Sequence, residues 1–573
     1  MQLLLIRRHR LAVGLVAAAL LVLCGVAGVA TAGTAADARA TAQKDTLVVL
    51  EEDIAPALDI DGPSAAHPGT QEIIDNIMAP LVEYQTVLRN GVLVPQYTKP
   101  LPGHLAESYS HKGLVWTFKL RHGVKSCAGN EFTADDVIYW FERAISASGS
   151  NQLALYNSFA AGILPISAGA PTATADARKL HGEVTKIDDY TVQIKQTVPS
   201  ELLLPQLALF IFDPWDSKEM KKHATAKDPW SHTYTLTQNS PGFGPYCLAK
   251  WTKGSEITLT ANPNYFRGQP KYTKIIIRKV PTIANRIAAI RSGAADITYP
   301  LTPVTIADLK KSSNVDVLEW INTNGVSLGL NYKYEPWSLP GGNFLRQAVA
   351  YALPYAEIIA QDYKGTAKQW DGLVPSVFYG YKPISTYRTD IAKAKALLAK
   401  AGFPGGKGLE KYSAGLTLYI TAERSTVIEP IANRIRTALG NIGIPITLSP
   451  ISLSEIATRE LAKYDLPMWI RDQLQSVDTD AAFQAVLFFV SKKNGGLLPS
   501  TNYESAPFDK LFAQNQLTTG AKRLAILHKM QDILMADLPM IPIVEFPSSF
   551  AVRKGLGPLQ GRPNNSVTFW YFK

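Results

Sequence analysis

Three cysteines in 573 residues are too few for a disulfide scaffold, and none stands in a CxxC pair, so neither a zinc ribbon nor a dithiol redox centre is encoded. The nine histidines form no HExxH motif and no close pair, which removes the metalloprotease class and calls for no metal or cofactor. Charge is sparse at 18%, and no basic run is interleaved with aromatics. A net charge of +10 therefore reads as a solvated surface rather than a nucleic-acid face. No repeat of solenoid period occurs, and beyond the first thirty residues no apolar run is long enough to span a bilayer. What is there is an ordinary globular composition, 46% hydrophobic with 40 Gly and 37 Pro, in a chain long enough to need more than one core.

The N-terminus has an address. Arg7, Arg8 and Arg10 precede an uncharged run from Leu11 to Ala30, which ends in Ala30-Thr31-Ala32, the form of a secretory signal with a small-residue cleavage site. The expectation is a signal peptide over 1–32, an Ala/Thr-rich linker over 33–44 and a fold that begins at 45. Removal of the leader takes three arginines and lowers the charge to +7. An uncleaved anchor and lipid attachment at Cys24 are the other readings, the second weakened by Leu23 where Gly or Ala usually stands. All three export the chain, to the periplasm or the outer face of the cytoplasmic membrane. Export leaves Cys127 and Cys247, either a candidate disulfide in an oxidising compartment or two buried thiols, between which the sequence does not choose.

Along the mature chain, Thr46 to Leu50 reads as a strand. Ile73, Ile74, Ile77, Met78 and Leu81 predict a helix over 71–81. Leu114, Trp116, Phe118 and Leu120 alternate with more polar residues and predict a strand with one apolar face. A loop bounded by Gly123 and Gly129 leads to Thr133 at an N-cap, with Asp136 three residues on, and to a stripe of Val137, Trp140, Phe141 and Ala144. The carboxylate pair Asp135-Asp136 is explained by its place at a helix start.

These last segments, LAESYSHKGLVWTFKLRHGVKSCAGNEFTADDVIYWFERAISA over 105–147, resemble the signature region of the peptide- and nickel-type extracellular solute-binding proteins that serve ABC importers. Further segments follow in that family's order: SPGFGPYCLAKW, with Phe243 where Thr is usual; ANPNYFRGQPKYTKIIIRKVPTIANRIAAIRSGAADI; FLRQAVAYAL; DIAKAKALLAKAGFP; and ILMADLPMIPI. The DIAKAKALLAKAGFP segment also reads independently as a helix, with Ile391, Ala394, Leu397, Leu398 and Ala401 on one face and Gly402 as its stop.

The resemblance implies an α/β, two-lobed periplasmic-binding-protein-like fold with a hinge: lobe one over 45–310 with an extra subdomain at about 85–230, lobe two over 311–539, and a return to lobe one over 540–573. It implies a monomeric binding component that captures a small ligand, foremost a short peptide, and passes it to the permease subunits of an ABC importer without making or breaking bonds and without a cofactor. In peptide-binding members a Trp followed three residues later by an Asp contributes to the pocket, and Trp469 and Asp472 have that spacing. The family then runs quickly into a turn, whereas residues 473–477 delay Asp478 and Asp480 here, so either of these is also a candidate for the ligand's ammonium. Tyr419 and Glu423, at the end of the apolar run LTLYIT, are further candidates because strand ends line such clefts.

Other readings are a nickel chelate, haem or an oligosaccharide on the same scaffold, a surface receptor without import, and a secreted hydrolase on the G-x-S-x-G pattern around Ser327. The last needs a helix directly after the serine, and LNYKYEP is none.

Overall fold

Two long strands organise the molecule. Val315–Leu330 and Met540–Arg553 pair antiparallel from Val315 against Arg553 to Gly329 against Met540. Each contributes to two separate apolar cores. Leu318, Trp320, Phe550 and Val552 belong to a first core with Leu47, Val49, Phe118 and Ile297, while Val326, Leu328, Leu330, Met540 and Ile543 belong to a second with Leu345, Leu418, Ile435 and Phe488. Between the two ends the ladder breaks, with residues 322–324 unpaired between Ile321 and Gly325.

The computed structural model describes residues 45–61, 63–146, 161–163, 182–384, 386–472 and 478–573. The chain divides into two compact units, Met1–Thr46 and Leu47–Lys573. The expected leader, linker and Cys24 lie outside the described residues. Within the second unit one mixed sheet runs through both cores. Its order is Thr447–Ile451, Thr417–Thr421, Met468–Arg471, Val315–Leu330, Met540–Arg553, Ile297–Tyr299, Thr46–Glu51, Lys274–Lys279, Glu256–Ala261, Tyr246–Thr252. The centre of the sheet is thus the pair of crossing strands that joins the two cores.

A four-stranded sheet of 106–195 lies within the expected extra subdomain, yet its buried Phe118, Leu120, Val192 and Ile194 share the first core. The tail returns to that core through Leu559–Gly561, which pairs in parallel with Val92–Pro95.

Local chemistry explains several of these elements. The first long helix is Pro68–Ile77, earlier than the apolar pattern predicts. Pro68 opens it without needing a donor, and Met78 is extended ahead of Pro80. Gly244 N donates to Ile77 O (3.0 Å), and a Cβ on Gly242 or Gly244 would come within 2.6 or 2.5 Å of Met78 or Ile77. That close approach is the physical content of the PGFGPY segment.

Helix Ala134–Ser146 starts as expected, with Thr133 N donating to Asp136 Oδ2 (2.7 Å). Asp136 is more than a helix-start charge, however. It is buried and accepts from both Ser217 N (2.9 Å) and Ser217 Oγ (2.7 Å), and burial raises its carboxyl to about 6. Cys127 and Cys247 are joined, Cα atoms 5.8 Å apart, fastening the 123–131 loop to strand Tyr246–Thr252. Helix Ile391–Lys400 has Asp390 as its cap and Gly402 in the left-handed region just beyond it. Ser327 is buried in mid-strand with no helix before Gly342, so no nucleophile elbow exists there.

Candidate functional site at the inter-lobe junction

The sequence candidates gather around strand Met468–Arg471 and the acidic stretch after it, but they play different parts. Trp469 is fully buried. It is the register partner of Tyr419 on one side and Gly329 on the other, and its ring fills the space a side chain at Gly329 would take, 2.5–2.7 Å from that Cβ position. Tyr419 packs under the guanidinium of Arg459 (4.5 Å to the ring centroid). Glu423 is exposed and accepts from Leu453 N (2.9 Å), at the start of helix Leu453–Thr458. It therefore fastens a helix start.

Three aspartates follow, each with a different neighbour. Asp472 is buried and pairs with Arg424 (3.1 Å), itself about one-third exposed. Asp480 caps helix Ala481–Phe488 through Ala482 N (2.8 Å) and receives Arg523 (2.9 Å). Asp478 is fully buried and accepts from Gln206 Nε2 (2.5 Å), which stands between Leu203 and Leu207 of the first core. Burial, reinforced by the charge of Asp480, holds the Asp478 carboxyl well above the usual range. Residues 473–477, which separate these acids, lie outside the described residues.

The Gln206–Asp478 bond is one of several ties across the junction. Tyr84 OH and Thr479 Oγ1 are 3.2 Å apart. Leu202 is buried in the second core although Leu203 and Leu207 just after it belong to the first, and with Ser200 and Glu201 it faces Ala482, Val486, Phe512 and Arg523 across a groove. Tyr84 meets Tyr97 edge-on (5.1 Å between centroids), and Tyr97 OH donates to Asn322 in the gap of the first crossing strand (2.8 Å). Asn322 in turn donates to Arg562 O (2.8 Å). A polar seam therefore runs from the acidic stretch 478–480 to the gap in the crossing strands and the C-terminal tail.

Gln206, Tyr84 and Arg424 were not among the sequence candidates. A signal existed for one of them. Gln206 is the lone polar residue in LLLPQLALF, and a single polar residue inside an apolar run is either bonded or functional. Tyr84 and Arg424 carry no such mark, because their partners come from distant parts of the chain.

Residues 101–495 match the family described as bacterial extracellular solute-binding proteins, family 5. Similar curated proteins include a dipeptide-binding protein of Escherichia coli, 29% identical over 55% of this chain and 57% of that protein, little more than half its length. Another is a di/tripeptide-binding protein of Pseudomonas aeruginosa, 25% identical over 81% of this chain and 85% of that one. Among solved structures, a Helicobacter pylori ABC transporter-associated periplasmic binding protein, in complex with the peptide STSA, superposes with a TM-score of 0.68. It is 22% identical and covers 93% of this chain and 99% of that one.

Proposed function

The chain belongs to family 5 of the bacterial extracellular solute-binding proteins, and on that premise we propose that it captures short peptides between its two lobes and delivers them to the permease of an ABC importer. The observation that carries this reading is the junction itself: two cores joined by a pair of crossing strands, with a buried polar seam where the lobes meet. Bonds such as Gln206–Asp478 exist only when the lobes are together, so a ligand that contacts both walls gains affinity from closure and shifts the population toward it. The curated relatives named for dipeptides and tripeptides support a peptide as that ligand.

On this reading lobe one comprises 45–310 and the tail from 540, and lobe two lies between. The wall contributed by lobe two is built from residues 469–472 and 478–480, with Trp469 shaping the strand beneath it. Asp472 brings its own counter-charge, so an arriving ammonium would share it with Arg424. Export by the leader over 1–32 places the protein outside the cytoplasmic membrane, and among the described residues no helix is long and apolar enough to cross a membrane. No chemical step is called for, and the monomer suffices.

Native mass spectrometry of the purified full-length chain, followed by denaturation and identification of what is released, tests the proposal. A ladder of short peptides is the expected result; haem, a metal chelate or a sugar would overturn the ligand class.

A further inference from the structure

The crossing strands are unequal in length between their two paired stretches. Residues 322–324 of one stand opposite a single residue of the other, Phe546, between the pairs Ile321–Pro547 and Gly325–Glu545. Such a bulge leaves groups without ladder partners, and here they are out of water, since Asn322 and Thr323 are buried. The C-terminal tail supplies what the ladder does not. Asn322 Nδ2 donates to Arg562 O and to Asn565 Oδ1 (both 2.8 Å), and Thr323 Oγ1 donates to Pro563 O (3.2 Å). Asn565 Nδ2 donates to Asn324 Oδ1 (2.9 Å), and Asn565 Oδ1 also meets Ser548 Oγ on the other strand. Asn565 therefore holds both strands at once. Its φ of 63° lies in the left-handed region, which glycine and asparagine tolerate best.

The two sides of the bulge are fastened to opposite cores. On one side the buried Asp75 of helix Pro68–Ile77 accepts from Arg562 Nε (3.0 Å) and Asn564 Nδ2 (2.8 Å), while Val567 and Phe569 enter the first core. The loop 562–566 thus belongs to the first core. On the other side Glu545 is buried and accepts from Ser376 N (2.7 Å), Ser376 Oγ (2.8 Å) and Lys368 (2.9 Å). Trp370 lies against Gly325, where a Cβ would come within 2.6 Å of its ring, and donates to Val374 O (3.2 Å) of the second core. What lies between the two fastenings is short: the link from Asn324 to Gly325 on one strand, Phe546 and Pro547 on the other.

We propose that Asn565 is a hinge pin: by tying the bulge and Ser548 to the first core, it confines bending between the cores to these few residues. This rests on the reading above, in which the two cores close around a peptide. A short pivot makes opening and closing a movement between two defined arrangements, because only a few backbone torsions absorb it. Without the pin the bulge comes away from the first core and the bend spreads over it.

The test places spin labels at Ile187→Cys, on a strand of the sheet that shares the first core, and at Leu517→Cys, just after a helix of the second; both positions are exposed. Cys24→Ser leaves these the only free thiols, since Cys127 and Cys247 are joined. The distance between the labels is measured by pulsed electron spin resonance on the full chain freed of co-purified ligand, with and without an equimolar mixture of tripeptides. The ligand-free distribution should be about 1.5–2-fold wider in Asn565→Gly than in the labelled parent, and tripeptide affinity should fall about 5–10-fold. Asn564→Ala, whose bonds among the described residues go to Asp75 and Ser566 and to neither crossing strand, should keep the parent width. Glycine adopts the left-handed backbone without strain; should Asn565→Gly not fold, Asn324→Ala removes the same bond from the strand side and is read the same way. An unchanged width in Asn565→Gly, or an equal widening in Asn564→Ala, would overturn the inference and leave peptide capture standing. A parent distance that the tripeptides do not shift would overturn the closing reading and this inference together.

Discussion

Two groups of buried acids in the first lobe have opposite fates. Around Arg143, fully buried, Asp59, Asp61, His232, Thr235 and Trp230 O converge: Asp59 Oδ1 at 3.0 Å, Asp59 Oδ2 at 3.1 Å, Asp61 in direct contact, Thr235 Oγ1 at 3.1 Å and Trp230 O at 2.9 Å. Burial alone would raise Asp59, but the Arg143 and His232 charges hold it well below the usual carboxylate range. Nearer the crossing strands, Glu51 and Glu72 face each other instead. Burial lifts Glu51 to about 8, against its bond to Glu72, and holds Glu72 well above the usual carboxylate range, with the Glu51 charge adding to it. Two carboxyls can bond only by sharing a proton. The first group locks the loop 53–61 onto helices 134–146 and 232–237; the second leaves capacity unfilled. Even around Arg143 the match is incomplete: Asp61 Oδ1 meets no donor among the described residues, and burial raises the Asp61 carboxyl to about 6.

The largest expected effect comes from turning the first group into the second. Arg143→Met leaves Asp59 and Asp61 buried without their cation and should lower unfolding stability by about 3–5 kcal/mol, read from urea melts. If the loss is under about 1 kcal/mol, the contrast between the groups fails.

Next comes the seam. Leu202→Ala removes apolar contact made only when the lobes are together. It should cost the closed state about 2 kcal/mol, seen as a larger radius of gyration by small-angle scattering and weaker ligand binding. An unchanged radius would show that Leu202 does not hold the lobes.

The reverse conversion is smaller. Glu72→Gln supplies Glu51 with an amide donor. The folded carboxyl of Glu51 is raised from 4.5 to about 8, so its contribution is fully present below pH 4.5 and lost as pH rises through about 8. Native stability should therefore decline over that window, and Glu72→Gln should shrink the decline by about 1–2 kcal/mol. Equal slopes in both proteins would place the titration elsewhere.

The smallest effect should be Asp472→Asn, since Arg424 is about one-third exposed and water screens the pair. A stability change within about 1 kcal/mol is expected.

Much of the fold was legible because it is local. The helix from Asp390 to Gly402 and the start at Thr133 follow from caps and period, and the motif order fixed the family. The helix at Pro68–Ile77 lies earlier than its apolar stripe suggests because Met78 and Leu81 are buried beyond the helix end, Met78 by close tertiary approach of Gly242 and Gly244 rather than by helical geometry. The site was less legible for the same reason. Spacing located the acidic stretch but could not show that Asp472 meets Arg424, that Asp480 serves a helix end, or that Asp478 reaches Gln206, 272 residues earlier.

The gap at residues 322–324 has a mechanical consequence. Because the crossing strands pair with each other on both sides of it, the link behaves as one ribbon clamped at both ends and softened in the middle. There, Asn322 and Asn324 bond to Asn565, and Asn324 to Ser548, in place of a backbone ladder. Such a ribbon yields readily in torsion but resists sliding and separation. Bending between the two cores is therefore expected at this gap rather than along the paired lengths on either side of it.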